Sequence, residues 1–247
     1  MKHNPQAITS AMQLYFSGES LRNTQKSLKL LGVEVSHKTV FMWIKKYITL
    51  MKNYTETITP NVSDNWRADE VYVKVAGNMK YLFAMMDNDT RVWIAQQVAD
   101  KKGTSDMRPL LHESQEVAGK KPATFITDGA ANFHDAYNKE YHTNRYNSTV
   151  HISHIRLQGD HNNNRMERLN GELRDREKVM RSLKTVDSPI LKGLQLYHKF
   201  FRPHMALDGK TPGEAAGIVI EGDNPWITVI QNASKSSDLQ PGDVHQI

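Results

Sequence analysis

The chain has 247 residues, no cysteine and a formal net charge of +5, a length that suits one medium domain or a small module joined to a domain of about 150 residues. The missing cysteine excludes a disulfide framework, a zinc site with thiolate ligands and a thiol nucleophile. The longest apolar stretch, residues 81–86, is far shorter than the roughly 20 residues of a membrane-spanning helix, so we expect a soluble, cytoplasmic protein without a membrane partner.

The positive charge is concentrated at the N-terminus. Residues 1–60 carry eight Lys and Arg against three acidic residues, while the rest of the chain balances to zero. This distribution predicts a polyanion-binding module attached to a neutral body, with an ordinary solvated surface as the alternative.

Three helical patterns occupy the first 50 residues, over 7–16, 21–31 and 39–50. Ser20 and Ser36 are suited to cap the second and third helices, and Gly32 is suited to end the second. Three short helices of this layout predict a helix-turn-helix domain over residues 1–52, and a three-helix bundle without a DNA role is the alternative. In a helix-turn-helix the third helix enters the major groove, so the predicted DNA contacts are Ser36, His37, Lys38 and Thr39 near bases or phosphates and Lys45 and Lys46 on the backbone.

A polar segment without a sustained period, residues 53–65, is interpreted as a linker. The period then changes to two, which predicts a strand from Asp69, a hairpin turn at Gly77-Asn78, and strands over 80–86 and 91–99. Alternating patterns follow: helix 105–117, strand 123–127, helix 132–141, strand 149–153, and helices over 164–184 and 188–201. This order predicts an α/β fold, a ribonuclease-H-like mixed sheet flanked by helices over residues 66–217, preceded by the small all-α domain.

Three acidic residues stand out by position. Asp69 begins the first strand, Asp128 follows the fourth, and Glu167 lies in the first turn of the long helix. Each alone can be an ordinary strand-end or helix-start residue. Together they suit phosphodiester chemistry, because Mg²⁺ prefers carboxylate oxygens and paired metal ions stabilise the attacking and leaving oxygens.

The long helix adds basic candidates. Arg174 lies on the same helix face as Glu167, with Gly171 between them, and we expect Arg174 and Lys178 to contact DNA. A solvated face with ion pairs is the alternative. Glu70 adjoins Asp69 but belongs to the opposite face of a strand, so we interpret it as structural, and Glu172 and Glu177 as solvated.

Four blocks of the sequence resemble DDE transposases of prokaryotic insertion sequences: WRADEVYVKVAG (66–77), ITDG (126–129), NNRMER (163–168) and FFRPHMAL with the following GKTPGEA (200–215). The resemblance implies that Asp69, Asp128 and Glu167 bind two Mg²⁺ or Mn²⁺ ions, that a metal-activated water cuts at the ends of a mobile element, and that the freed 3′-hydroxyl attacks target DNA. It further implies double-stranded DNA as partner, a homodimer or higher oligomer on DNA, and a nucleoid-associated location. Asn163 and Gly129 depart from the pattern, since many relatives carry arginine at the first position and some carry lysine at the second.

Two other functions stay open at this point. One is a catalytically silent DNA-binding regulator derived from a transposase, and the other is a nuclease that cleaves without joining. Residues 218–247 are polar and net acidic, which predicts a loosely attached C-terminal tail.

Overall fold

The computed structural model describes residues 3–142, 148–153, 163–180 and 183–238, with the side chains of 237 and 238 left aside. The chain divides into two compact units. The first comprises Met1–Ile58, Pro189–Phe201 and Val219–Ile247, and the second comprises Thr59–Ser188 and Arg202–Ile218. No helix in the described ranges is long and apolar enough to cross a membrane.

The first unit is helical. It contains α1 (Pro5–Ser17), α2 (Leu21–Leu30) and α3 (His37–Glu56), together with α7 (Pro189–Phe200) and α9 (Pro225–Asp238). The predicted caps form: Ser20 Oγ accepts from the Asn23 N–H, Ser36 Oγ accepts from the Thr39 N–H, and Gly32 has a φ of +77° after the last turn of α2. Local sequence therefore sets the starts of α2 and α3.

Two elements of this unit differ from the expectation. The predicted polar tail contains α9, whose residues Trp226, Val229, Ile230 and Ala233 are buried. Their spacing places them on one face of a helix, and this apolar face can pack against other helices although the segment is polar on average. Similarly, α7 groups with the N-terminal helices rather than with the sheet, and at Gly193 it runs close to Phe16 and Ile48.

The second unit is a five-stranded mixed sheet with the strand order β3-β2-β1-β4-β5. Its strands are β1 (Asn65–Val75), β2 (Asn78–Asp87), β3 (Trp93–Ala99), β4 (Thr124–Thr127) and β5 (Val150–Ser153). The first three are antiparallel, and β4 and β5 run parallel to β1. Its helices are α4 (Thr104–Ala118), α5 (Ala131–Glu140), α6 (Asn164–Met180) and the short α8 (Pro212–Ala215). This is the ribonuclease-H-like arrangement that the element order predicts, with helices packed on the sheet.

The main core of the second unit lies between the sheet and the helices α4 and α5. Trp66, Phe83 and Phe125 from the strands pack there against Leu110 and Phe133 from the helices. Helix α6 packs on β1, where the Lys74 N–H donates to Glu177 Oε1 at 2.6 Å, so Glu177 is not merely solvated. Glu172 was also expected to be solvated, but it forms an ion pair with Arg202.

Three boundaries in the second unit shift from the expectation. β1 begins at Asn65 rather than at Asp69, because residues 65–68 already pair with neighbouring strands. The β1–β2 turn is Ala76-Gly77 rather than Gly77-Asn78, with φ values of +49° and +87°. Positive φ at both central residues is typical of a type I′ turn, whose twist matches that of the flanking strands. The predicted linker is shorter than 53–65, because α3 continues to Glu56 and Val62 is already buried in the core of the sheet.

Candidate active site

The sheet brings Asp69 and Asp128 together. β1 and β4 are parallel with Arg67 opposite Ile126, so the same register carried two residues further brings Asp128 level with Asp69. β4 ends at Thr127 while β1 continues to Val75, which leaves an open position beside Asp69 at the carboxyl end of β4. Asp128 is exposed there, and its Oδ1 accepts from the Ala130 N–H at 3.0 Å.

A third carboxylate, Glu70, joins this pair. Oxygen atoms of Asp69, Glu70 and Asp128 lie within 4.8 Å of one another, the geometry of a metal-binding group in the described part of the chain. Glu70, which the sequence suggested to be structural, is therefore also a candidate metal ligand. Because β4 ends at this level, side chains from both faces of β1 can lean toward Asp128.

Asp69 is the most strongly perturbed carboxyl of the group. Its Oδ1 accepts from the Glu70 N–H and its Oδ2 accepts from Asn170 Nδ2, both at 2.9 Å. Burial raises its pKa to about 7, and the neighbouring charges of Asp128, Glu70 and Glu167 also act to raise it, against the lowering effect of the backbone hydrogen bond. Several carboxylates that repel one another in a poorly solvated place suit a divalent cation.

Glu70 and Asn170 each keep one polar atom for a further partner. Glu70 Oε1 lies 3.3 Å from Lys102 Nζ, while its buried Oε2 has no hydrogen-bond partner among the described residues. Asn170 Oδ1 is likewise buried and unpartnered within the described ranges. Buried carboxylate and amide oxygens without a hydrogen-bond partner are suitable ligands for Mg²⁺ or Mn²⁺, which prefer oxygen ligands.

Glu167 lies in the first turn of α6, as expected, and its side chain is exposed. It lies outside the group formed by Asp69, Glu70 and Asp128, but its negative charge helps to raise the pKa of Asp69. On the same helix Arg174 is exposed, and Lys178 Nζ pairs with Asp175 at 2.7 Å. The roles of Glu167, Arg174 and Lys178 stay predictions.

The expected DNA-contacting residues of the first unit surround the start of α3. Ser36 and Thr39 bond to each other at 3.0 Å between hydroxyl oxygens, so both contribute to the cap. Lys38, Lys45 and Lys46 are exposed, and His37 is half-buried as the first residue of the helix. Their contact with DNA stays a prediction.

Sequence reasoning missed Asn170 and a set of arginines beside the carboxylates. Asn170 follows Glu167 by three residues, so it belongs to a neighbouring position on the α6 surface. Arg165 Nη1 donates to the backbone oxygen of Asn88 at 2.7 Å, and Arg67 Nε donates to Asn88 Oδ1. The only sequence signal for these contacts is proximity along the chain to Asp69 and Glu167.

Comparison with known proteins decides the family. Residues 63–204 match the family model DDE_Tnp_IS240, which describes a DDE domain. The chain belongs to this DDE transposase family. As a member, the transposase is a polynucleotidyl transferase that acts on DNA.

Individual relatives and one solved structure accompany the family match. The transposase for insertion sequence-like element IS431mec of Staphylococcus aureus is 24% identical over 203 residues, covering 81% of this chain and 86% of the relative. The transposase for insertion sequence element IS257 in transposon Tn4003 of Staphylococcus aureus gives the same values. The HTLV-2 integrase catalytic core domain in complex with magnesium is similar with a TM-score of 0.45 and 20% identity, over 64% of this chain and 98% of that one.

Proposed function

We propose that this transposase binds the terminal sequences of a mobile element and catalyses metal-dependent strand cleavage followed by strand transfer. Asp69, Asp128 and Glu167 act as catalytic residues, and Glu70 supplies a further oxygen. The grouping of Asp69, Glu70 and Asp128 oxygens within 4.8 Å is the observation that carries the proposal. DNA is the substrate class of the family.

The carboxylates would hold two divalent cations. When bound, such cations stabilise the attacking and leaving oxygens of a phosphodiester displacement. Asp69 and Asp128 present oxygens from adjacent strands, and Asn170 fixes the orientation of the Asp69 carboxylate through its amide. Glu167 lies on α6, and its charge already acts on Asp69. Because the available donors are carboxylate oxygens, they favour a hard cation such as Mg²⁺ or Mn²⁺ over a softer metal ion.

The experiment for catalysis uses terminal-repeat oligonucleotides with Mg²⁺ or Mn²⁺ and separates cleaved from joined products on a gel. We expect Asp128→Asn to remove both products, while Asp135→Asn, an exposed residue of α5, retains both. Full activity of Asp128→Asn would overturn the assignment. Cleaved products without joined ones would indicate a nuclease, and tight DNA binding without any product would indicate a regulator.

The first unit is proposed to recognise the element ends through α3. Lys38, Lys45 and Lys46 are exposed basic residues of this helix, and Ser36, His37 and Thr39 lie at its N-terminus. Lys45→Gln and Lys46→Gln are expected to weaken binding to all duplexes and to flatten its salt dependence. Lys235→Gln, an exposed residue of α9, is the matched control.

A homodimer or larger assembly on DNA follows from the need to process two element ends. Light scattering of the protein with terminal-repeat DNA measures this assembly directly. A complex with one protein chain per two DNA ends would contradict it.

A further inference from the structure

Four arginines from β1, the β2–β3 connection and α6 lie close enough to act on one another as like charges. Arg67 lies on β1, Arg91 follows the turn between β2 and β3, and Arg165 and Arg168 lie in the first turns of α6. We name this set the arginine cluster. Three of its members are near site residues along the chain: Arg67 precedes Asp69 by two residues on the same face of β1, and Arg165 and Arg168 flank Glu167.

Asn88 is the common contact that brings two of these guanidinium groups together. Arg67 Nε donates to its side-chain oxygen, and Arg165 Nη1 donates to its backbone oxygen at 2.7 Å. These hydrogen bonds hold the two guanidinium groups on the same side chain and backbone of Asn88.

The turn that carries Asn88 and Arg91 is held in place by Asp87. This buried carboxylate accepts hydrogen bonds from the backbone N–H and the hydroxyl of Ser63 and from the same two groups of Thr90. Arg91 itself has a φ of +63°, a backbone conformation that residues other than glycine rarely adopt. The network therefore fixes the turn in a shape that directs Arg91 toward the arginines of α6.

Electrostatics shows that the arginines act on one another as like charges. Burial lowers the pKa of Arg67 to about 10, with further lowering by the charges of Arg165 and Arg91. Burial lowers the pKa of Arg91 to about 10 in the same way, with Arg165 and Arg168 as the nearby positive charges. The charge of Asp89 opposes this lowering of the pKa in both groups, and that of Asp87 opposes it in Arg91.

We propose that the arginine cluster binds the phosphodiester backbone of the DNA strand that approaches the carboxylates. Guanidinium groups match phosphate oxygens with paired hydrogen bonds, and several of them close together can contact successive phosphates of one strand. Arg168 is exposed and Arg91 and Arg165 are half-buried, so these three face the strand, while the buried Arg67 supports them from β1. The proposal rests on the proposed function, because it takes DNA as the substrate at this site.

The test measures binding of the full chain to a duplex of about 30 base pairs at several salt concentrations, in EDTA so that no chemistry occurs. Arg91→Gln, Arg168→Gln and the double variant are compared with Lys139→Gln, an exposed residue of α5 that loses the same charge. Each lost phosphate contact reduces the slope of log Kd against log salt concentration by about 0.9. The increase in Kd between 50 and 200 mM salt therefore becomes about 3.5-fold smaller for each lost contact. The Lys139→Gln variant is expected to keep the wild-type slope.

Several outcomes would overturn the proposal. One is a slope for the arginine variants equal to that of Lys139→Gln. Another is a weaker affinity of the arginine variants with an unchanged dependence of Kd on salt, since this would mean that no phosphate contact was lost. Arg168 is exposed, so its variant is expected to fold, and a thermal unfolding curve checks this. Because the assay omits metal, failure of the catalytic proposal leaves its result unaffected.

The absence of cysteine allows a second measurement of position. Arg168→Cys and Lys139→Cys each introduce a single thiol into the chain. We expect Arg168→Cys, and not Lys139→Cys, to crosslink to DNA that carries a mixed disulfide tethered to a backbone phosphate, by thiol–disulfide exchange that releases the small thiol. Equal crosslinking of the two variants would contradict the placement of the strand.

Discussion

Asn170 Nδ2 donates a hydrogen bond to Asp69 Oδ2 at 2.9 Å, which joins α6 to the central strand at the candidate active site. Asn170 is only 2% exposed, and its own Oδ1 is left without a hydrogen-bond partner among the described residues. The contact thus fixes both the helix that carries Glu167 and the direction of the Asp69 carboxylate.

Loss of this contact is expected to weaken activity while leaving all the carboxylates of the site in place. Asn170→Ala should reduce metal affinity or strand cleavage by about 10- to 100-fold, the usual effect of losing a residue that orients a metal-binding side chain. The measurement is cleavage of terminal DNA as a function of Mg²⁺ concentration. Asp175→Asn, an exposed residue of the same helix, serves as control, and wild-type activity of Asn170→Ala would contradict the positioning role.

Glu70 is expected to contribute to cation binding. Glu70→Gln keeps the size of the side chain but removes a charge from the group of three carboxylates, so calorimetry should show weaker Mg²⁺ or Mn²⁺ binding. Lys102→Gln removes the ion pair with Glu70 while leaving all carboxylates in place. If Glu70 is only structural, the Glu70→Gln variant will bind the cation as the wild type does.

Asp69 makes the stability of the metal-free protein depend on pH. Because its pKa is raised from the usual 3.8 to about 7, the folded state holds a proton that the unfolded state releases, and stability falls as the pH rises through this interval. We expect thermal unfolding in EDTA to shift to lower temperature as the pH rises from about 4 to about 7, with a smaller shift for Asp69→Asn. An identical shift in the two proteins would show that Asp69 is not responsible.

Two glycines in helices should respond oppositely to alanine. A Cβ at Gly193 would lie 2.7 Å from Phe16 Cε1 and 3.1 Å from Ile48 Cδ1, so Gly193→Ala should lower the free energy of unfolding by about 1–3 kcal/mol. A Cβ at Gly171 meets nothing within 4 Å, so Gly171→Ala should raise it by roughly 0.5–1 kcal/mol. Denaturant titration measures both changes, and a stabilised Gly193→Ala would contradict the packing of α7.

Trp226 is expected to be essential to the helical unit. Its ring stacks on Phe201 with centroids 3.6 Å apart, and its Nε1 donates to Gln13 Oε1 at 2.9 Å. Trp226→Ala should lower the free energy of unfolding by about 3–5 kcal/mol, and Trp226→Phe should lose less because it keeps a ring for stacking. A neutral Trp226→Ala would restore the interpretation of residues 218–247 as a loosely attached tail.

The sequence by itself determined the order of the strands and helices from α1 to α7, the caps of α2 and α3, and the position of Asp128 directly after β4. These features depend on short-range periodicity and on capping side chains, which neighbouring residues encode. The family match confirms the DDE transposase resemblance that the four sequence blocks predicted.

Only the tertiary structure decided which side chains meet. Glu70 reaches Asp128 because β4 ends beside it, and Asn170 reaches Asp69 because α6 packs on β1. The arginine cluster forms because the β2–β3 turn lies against the start of α6, with Asn88 bonded to Arg165 from 77 positions along the chain. Local pattern cannot encode such pairings, since they depend on where distant elements end and on which faces they pack together.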